Sequence, residues 1–435
     1  MLLSKTVYLM LSGGVDSSVS AYILKQLGYK VVGIYMLKWW RPDLGPNCPA
    51  NEDLEYVFKV SRQLNIPVYV ADFRDIYQQK VLKTILDEFK KGVTPNPDTL
   101  CNRHIKFGQF FDYIKKTFKT NNFLVATGHY AFTYNMLDLA DDSRKNKMYL
   151  PIDSFKDQTY FLYDINPSVV GQVIFPLAFL TKPMVRDLAK ELGLATAKRQ
   201  DSTGVCFIGN IELSEFLKKE LGNKPGNIVD IETGKIVKQH NGLWFYTIGQ
   251  RKGLGIGGVS PAYYVVKKDY ANNVLYVAKG RYNRYIFSKK IEVINVNMLT
   301  YQEKTRASAD SKLVFNDIAG VIRYRSYPYL VDAEIHADVG LVKHKKTVFY
   351  SEKMANQKQD QGFWAVASGQ SVVLYSKVFD KPDYNNVQEY YSELLKKPVD
   401  VNNVTDLYSK YAEKIVEFLA KNNRDVYMLG GGIIK

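Results

Sequence analysis

The sequence predicts an α/β N-terminal domain with a parallel sheet, then a small, mainly β central domain and a C-terminal β-barrel interrupted by a helical insertion. Three observations predict it. Strand and helix patterns alternate from residue 1 to about 130, as in a sheet wrapped by helices. From 211 the pattern changes to short strands and turns such as Glu232-Thr233-Gly234-Lys235. After 286, period-two alternation dominates, for example over 320–327 and 369–375. The 435 residues therefore divide into 1–210, 211–285 and 286–435.

In the first division, strands are expected at 6–11, 31–36, 68–71 and 123–127, and helices near 16–27, 52–64, 76–91 and 105–118. The first strand feeds Ser12-Gly13-Gly14-Val15-Asp16-Ser17-Ser18. Val19, Ile23 and Leu27 then recur at helical spacing, and Gly28 is placed to end the helix. Glycines in a strand-to-helix turn let the backbone approach a phosphate, and the free amides of the helix start face it. Ser12, Ser17 and Ser18 add hydroxyls. Asp16 is unusual at an anion site and reads as an orienter of the loop amides or a holder of a metal ion. Parallel sheets bind ligands at their carboxyl ends. This loop, the turn after Met36, the loop near Asp72 and Gly128-His129-Tyr130 should therefore share one rim.

Residues 92–107 hold two prolines and two asparagines and read as a rigid loop carrying Asp98 and Cys101, three apart, on the edge of a helical pattern. The ordinary fate of a free cysteine is burial among apolar neighbours. Here Arg103, His104 and Lys106 favour a thiolate instead. Residues 150–210 read as helical, with loops at 156–162 and 198–209. Cys206 lies in the second loop among Ser202, Thr203 and Gly204, near Lys198, Arg199 and Asp201, and looks like an exposed reactive thiol. With Cys48 the cysteines number three, which is no secreted disulfide framework. Two thiols with dispersed histidines give no zinc-ligand spacing, so no metal site is assigned.

Beyond 286, the insertion at 376–424 starts with a capping-box-like Asn386 and Glu389 and stops at Pro398. Leu407, Tyr411, Ile415 and Phe418 then form an apolar helical stripe. A strand pattern at 425–428 precedes the terminal Gly-Gly-Gly-Ile-Ile run. Basic residues outnumber acidic ones by 59 to 44, a net +15, which points to a polyanionic partner, nucleic acid first. Arg251 and Lys252 among the glycines of 249–258, and Arg323-Tyr324-Arg325, suit such a partner. A strand beginning by residue 6 leaves no room for a signal peptide, and no apolar run is long enough to span a bilayer. A cytoplasmic protein without membrane contact is expected.

The Ser12–Ser18 stretch resembles the pyrophosphate-loop signature of the adenine-nucleotide α-hydrolases, which split ATP between its α- and β-phosphates. No GxxxxGK[ST] motif supports a P-loop kinase. Further motifs narrow the resemblance: TPNPDTLCNRHIKF, ATGHYA, KDQTYFL, DSTGVCFIG, GLWFYTIGQRKGLGIGG, RYR, GQSVVLY and GGGII. Together, and in this order, they resemble the tRNA-specific 2-thiouridylases nearly end to end. Only 376–424 looks foreign to that family.

The resemblance implies ATP-dependent 2-thiolation of the wobble uridine of tRNA, by adenylation of its C2 oxygen and sulfur transfer from a cysteine persulfide. It implies that Met10, Leu11, Ser12, Gly13, Gly14, Val15, Asp16, Ser17, Met36 and Gly128 hold ATP. Asn96, Pro97 and Asp98 would meet the target base. His129, Lys156, Asp157, Gln158, Arg323, Tyr324 and Gln370 would touch tRNA. Cys101 would be the nucleophile, Cys206 the persulfide carrier and Asp98 a proton mover. The implied cofactors are ATP and Mg2+, with no tightly bound prosthetic group. The implied partners are tRNAs of the Glu, Gln and Lys type and a persulfide donor protein. The chain departs from the family pattern at Met10 (commonly Gly), Leu11 (Met), Phe132 (Arg), Ser326 (Gln) and Ala367-Ser368 (Thr-Pro). The rival readings are another adenylating pyrophosphate-loop ligase and a non-catalytic tRNA-binding homologue.

Overall fold

β1 (Thr6–Met10) lies at the centre of a five-stranded parallel sheet. The computed structural model describes residues 5–38, 49–136, 146–153, 155–201, 213–299, 312–322, 329–336, 339–347, 362–376 and 427–435. After β1 come α1 (Val15–Gln26), β2 (Lys30–Leu37), α2 (Pro49–Leu64) and β3 (Val68–Asp72). Two long helices follow, each running α to π to α. The first joins α3 (Arg74–Tyr77), a π-segment Gln78–Leu82 and α4 (Lys83–Lys90). The second joins α5 (Pro97–Cys101), a π-segment Asn102–Gln109 and α6 (Phe110–Phe118). β4 (Leu124–Ala126) and β5 (Val173–Ile174) complete the sheet in the order β3-β2-β1-β4-β5. The order reverses beside β1, so the crevice between the carboxyl ends of β1 and β4 is the switch point where such sheets bind ligands.

Side-chain alternation along β1 fixes the two layers. Val7 and Leu9 pack with α1, α2 and α7 (Lys182–Glu191), through residues such as Val19, Val57 and Val185. Tyr8 and Met10 face the other way, onto the two π-containing helices through Phe73, Ile85, Ile105 and Phe110.

The stretch 150–210, expected to be helical, is mostly not. Its described part holds two 3-10 turns, Thr159–Phe161 and Pro167–Gln172, then β5, and α7 is its one α-helix among the described residues. Pro167 and Pro176 break the apolar runs, and Val173–Ile174 finds better pairing beside β4 than in a helix. The second long helix also starts earlier than the expected residue 105. Asn96 caps it, its side chain accepting from the amides of Asp98 (3.1 Å) and Thr99 (3.3 Å), and Pro97 follows in the first turn. Asp98 and Cys101, expected at the edge of a helical pattern, therefore stand inside the helix.

After α8 (Leu213–Leu221), a four-stranded sheet β7-β6-β9-β8 forms from β6 (Gly226–Asp230), β7 (Ile236–His240), β8 (Tyr263–Asp269) and β9 (Val274–Lys279). β10 (Phe287–Ser288) later pairs with β15 (Phe363–Trp364). β11 (Lys290–Met298), β12 (Lys312–Val321), β13 (Tyr329–His336), β14 (Val339–Thr347), β16 (Ser371–Tyr375) and β17 (Met428–Ile434) close into a barrel. The last strand corrects the expectation of a strand ending at 428. The three glycines lie inside β17: Gly430 and Gly431 pair with both β11 and β16, and Gly432 with β16, where glycine eases the bend of a small barrel. The barrel is not a free appendage. Val321, Val373, Tyr375 and Met428 share a core with Tyr160 and Phe175 of the first domain. The expected helices of the insertion lie outside the described residues.

Candidate active site

The turn between β1 and α1 has the conformation its glycines predict. Gly13 holds φ +77°, and a Cβ there would lie 2.5 Å from the Asp53 carbonyl oxygen. Only glycine meets both demands. Ser17 and Ser18 donate their hydroxyls to the Gly14 carbonyl, at 3.1 and 2.9 Å, and the Ser12 and Ser17 hydroxyls lie 3.1 Å apart. Val15, Asp16 and Ser17 are the first residues of α1, so their amides have no partner within the helix and form an anion-facing set. Met10 and Leu11 are buried with their side chains in opposite cores, so at the rim they offer backbone.

Asp16 does not turn onto the loop amides. Its Oδ1 accepts from Lys182 Nζ at 2.6 Å and from the Tyr130 hydroxyl at 3.1 Å. Burial, with Asp16 alongside, keeps that phenol protonated. Lys182 also pairs with Asp201 (2.9 Å), and Asp201 pairs with Lys156 (3.0 Å) and with Arg186. Burial alone would raise the Asp201 carboxyl, but Lys182 and Lys156 outweigh it and hold the group far below the usual carboxylate range. Arg199 closes the other side. It donates to the Gly13 carbonyl (2.8 Å), pairs with Asp53 (2.5 Å) and stacks over Tyr56 (4.6 Å).

Gly128 and His129, just past β4, join two parts of the rim. A Cβ on Gly128 would come within 3.0 Å of the Asp16 carbonyl carbon and the Ser17 nitrogen. His129 is buried between Thr127 Oγ1 (2.9 Å to Nδ1) and Lys106 Nζ (3.1 Å to Nε2). Lys106 has only hydrogens to give, so Nε2 accepts and Nδ1–H donates to Thr127. Burial first, then Lys106, push the imidazole well below its ordinary pKa, so it is neutral. Lys106 lies in the π-segment directly after Cys101, so His129 ties that helix to the sheet.

Cys101 itself is 3% exposed, packed with Ile105 and Phe107. The basic neighbours expected to surround its thiol turn elsewhere: Arg103 to Asp164 (3.1 Å) and Lys106 to His129. Asp98 is half-buried in the first turn of the same helix. Asp157 Oδ1 accepts from the Thr159 amide (2.9 Å) and hydroxyl (2.7 Å). Gln158 exchanges two hydrogen bonds with Tyr130, both 3.0 Å. Gln370, from the barrel, donates to the Thr94 carbonyl at 2.7 Å. Met36 is buried near the end of β2 at the same rim. Cys206, Arg323 and Tyr324 lie outside the described residues.

Sequence reasoning passed over Lys182 and Asp53, and named Tyr130 only as part of the rim. A buried lysine at a helix start gives no periodic signal, and the aspartate that would explain it is remote in sequence. No group of three or more metal-binding side chains occurs among the described residues, and none of their helices is long and apolar enough to cross a membrane.

A family model described as the tRNA methyl transferase HUP domain matches residues 5–210, and one described as the tRNA methyl transferase PRC-barrel domain matches 214–279. A tRNA-specific 2-thiouridylase of Mycoplasma mobile is 37% identical over 380 residues, covering 85% of this chain and 93% of its own length. The one of Bacillus licheniformis is 45% identical over 289 residues, covering 66% of this chain and 75% of its own. Among solved structures, the NMN synthetase of Francisella tularensis aligns over 48% of this chain and 71% of its own. At 18% identity and a TM-score of 0.29, that likeness is too loose to carry an argument.

Proposed function

The chain belongs to the tRNA-specific 2-thiouridylase family, and on that premise we propose that it uses ATP to replace the 2-oxygen of a tRNA wobble uridine with sulfur. The observation that carries this reading is the Gly128-His129 pair. Gly128 packs on the start of α1, at the glycine loop, and His129 grips the helix of Cys101, so a phosphate cradle and a thiol are anchored at one rim.

ATP would set its phosphates on the amides of Val15, Asp16 and Ser17 and the hydroxyls of Ser12 and Ser17, beside Gly13, Gly14, Met36, Gly128 and the backbone of Met10 and Leu11. Lys182 supplies positive charge within reach of that loop. The loop contributes one carboxylate, Asp16. That suits a magnesium ion carried in by the triphosphate better than a cage built by protein. Bound there, magnesium would neutralise phosphate charge.

A uridine carbonyl is a poor electrophile with a poor leaving oxygen. Attack of O2 on the α-phosphorus expels pyrophosphate and makes AMP the leaving group. Sulfur arrives as the terminal atom of a Cys206 persulfide, loaded by a donor protein. In one order that sulfur attacks C2, AMP leaves, and the Cys101 thiolate attacks the Cys206 sulfur, breaking the S–S bond and leaving sulfur on the base. In the other, Cys101 first displaces hydrosulfide from Cys206, and the confined hydrosulfide attacks C2. Both orders end in a Cys101–Cys206 disulfide that an external thiol reopens. Asp98, one turn before Cys101, would move the protons, with Asn96 and Pro97 beside the base. His129, Lys156, Asp157, Gln158 and Gln370, paired as described, would shape the tRNA-facing surface, joined by Arg323 and Tyr324. Those tRNAs would be of the Glu, Gln and Lys type, in the cytoplasm.

The test is thiolation of an unmodified tRNA by purified protein, ATP and a persulfide donor, read by mass spectrometry of the wobble nucleoside. Cys206→Ser should abolish 2-thiouridine while leaving tRNA and ATP binding near normal. Robust thiolation by that variant would overturn the carrier role. Turnover of ATP to AMP without tRNA would favour a ligase acting on another substrate.

A further inference from the structure

Lys268, near the end of β8, stands between the central sheet and the chain leading into the Cys101 helix. Its Nζ lies 3.4 Å from Thr94 Oγ1 and 5.6 Å from the centre of the Tyr270 ring. The Tyr270 ring lies against Gly92, where a Cβ would come within 2.6 Å of it, and its hydroxyl donates to the Phe89 carbonyl at 3.4 Å. The barrel reaches the same place. The Thr94 amide donates to the Ser368 carbonyl (2.9 Å), and Gln370 donates to the Thr94 carbonyl (2.7 Å). Thr94 is thus the point where first domain, central sheet and barrel meet, two residues before the Asn96 cap and four before Asp98.

The cation at this junction has a neutral partner. Lys182, Lys156 and Arg199, covered cations of this region, each hold a carboxylate at 2.6, 3.0 and 2.5 Å, whereas Lys106 faces the neutral His129 that anchors its helix. Lys268 is half-buried, and its hydrogen-bond partner is a neutral hydroxyl. No carboxylate among the described residues offsets its loss of water, and burial alone lowers its pKa to about 8. A charge withdrawn from water without a counter-charge is costly, so a lysine kept there is explained by an anion that arrives with a ligand.

We propose that Lys268 Nζ and the Thr94 hydroxyl form a phosphate site for the RNA backbone, holding a phosphate beside the nucleotide whose base enters next to Asp98. The proposal rests on the tRNA reading above and deepens it. A lysine grips phosphate as a point charge. The site therefore sets the register of the strand and reads no base. The nucleotide triphosphate has its own cradle at Ser12–Ser17, so the site belongs to RNA and not to ATP.

The experiment compares wild type, Lys268→Gln and Lys268→Arg in the full chain. Binding of unmodified tRNA is measured from low to physiological salt, with ATP affinity and Tm measured alongside. Lys268→Gln should weaken tRNA binding about tenfold and reduce the slope of log affinity against log salt by about one, with ATP affinity unchanged and Tm equal or higher. Lys268→Arg should restore both affinity and slope. An unchanged slope in Lys268→Gln would overturn the proposal. A fall in Tm with the slope intact would assign the lysine to a carboxylate of the chain itself, and a loss of ATP affinity would assign it to the nucleotide. If wild type bound no tRNA, the functional reading would fall first, and this site with it.

Discussion

His129 shows how a single residue can serve a site by being uncharged. Between Thr127 and Lys106 it must stay neutral, because a proton on Nε2 would face the Lys106 ammonium. Burial and that lysine depress its folded pKa, whereas in the unfolded chain it titrates near 6.5. The unfolded state therefore binds the extra proton first as pH falls. Stability is complete above about pH 6.5 and is lost as pH drops below that toward the folded pKa, at up to about 1.4 kcal/mol per pH unit from this group. His104 and His240 are lowered by burial too and add loss of the same sign. Urea unfolding from pH 7 to pH 5 should show a shallower decline for His129→Gln than for wild type. Equal declines would mean that His129 is charged in the fold. Phe132, which stands where the family commonly has arginine, is an apolar packing residue here. It is 1% exposed, with ring centres 4.7 Å from Tyr134 and 4.9 Å from Phe179.

Among elements, α5 links sequence to site most directly. Asn96 turns the chain into the helix, Pro97 fits its first turn, and Asp98 and Cys101 then stand one turn apart. Asn96→Ala should cost about 1 kcal/mol of stability through the lost cap. It should also lower thiolation more than ATP affinity, since the glycine loop hangs from a different strand; an equal fall in both would deny α5 a separate role. Much of this was legible beforehand. The glycine loop, the alternation of strand and helix, and the barrel each leave a local pattern. The burial of Cys101 was not legible, because Arg103 and Lys106 look like a cationic surrounding until Asp164 and His129 are found to claim them. Nor were the partners of Asp16. Lys182 is 166 positions away and Tyr130 is 114, and only the fold brings them together. The helical reading of 150–210 failed because Val173–Ile174 gains more from an open sheet edge than from its neighbours.

At the scale of the whole molecule, the three parts converge on Thr94, and the barrel reaches it through residues 368–370. A Cβ on Gly369 would collide with Val93, so the turn at 368–370 is pressed onto the chain entering α5. Residues 370–376 also supply β16, whose partner β17 follows the insertion. The two strands pair from Ser371 opposite Ile433 to Tyr375 opposite Met428. Past that, the Ser376 amide donates to the Tyr427 carbonyl at 2.9 Å, and the Tyr427 amide donates to the Ser376 hydroxyl at 3.3 Å. The ladder therefore reaches Ser376 and Tyr427, and the insertion joins the two strands of a finished hairpin. Closing a long loop costs only slightly more than closing a short one, so the insertion burdens the barrel little, and its removal should relieve it little. Replacing residues 377–426 by a short Gly/Ser turn should leave Tm within a few degrees of wild type. It should also leave thiolation intact when sulfur comes from a small-molecule source, since every residue assigned a role in the chemistry lies outside that segment. Loss of activity in a folded, ATP-binding deletion would show that the insertion completes the site or holds tRNA. Loss with the donor protein alone would show instead that it is where the donor docks.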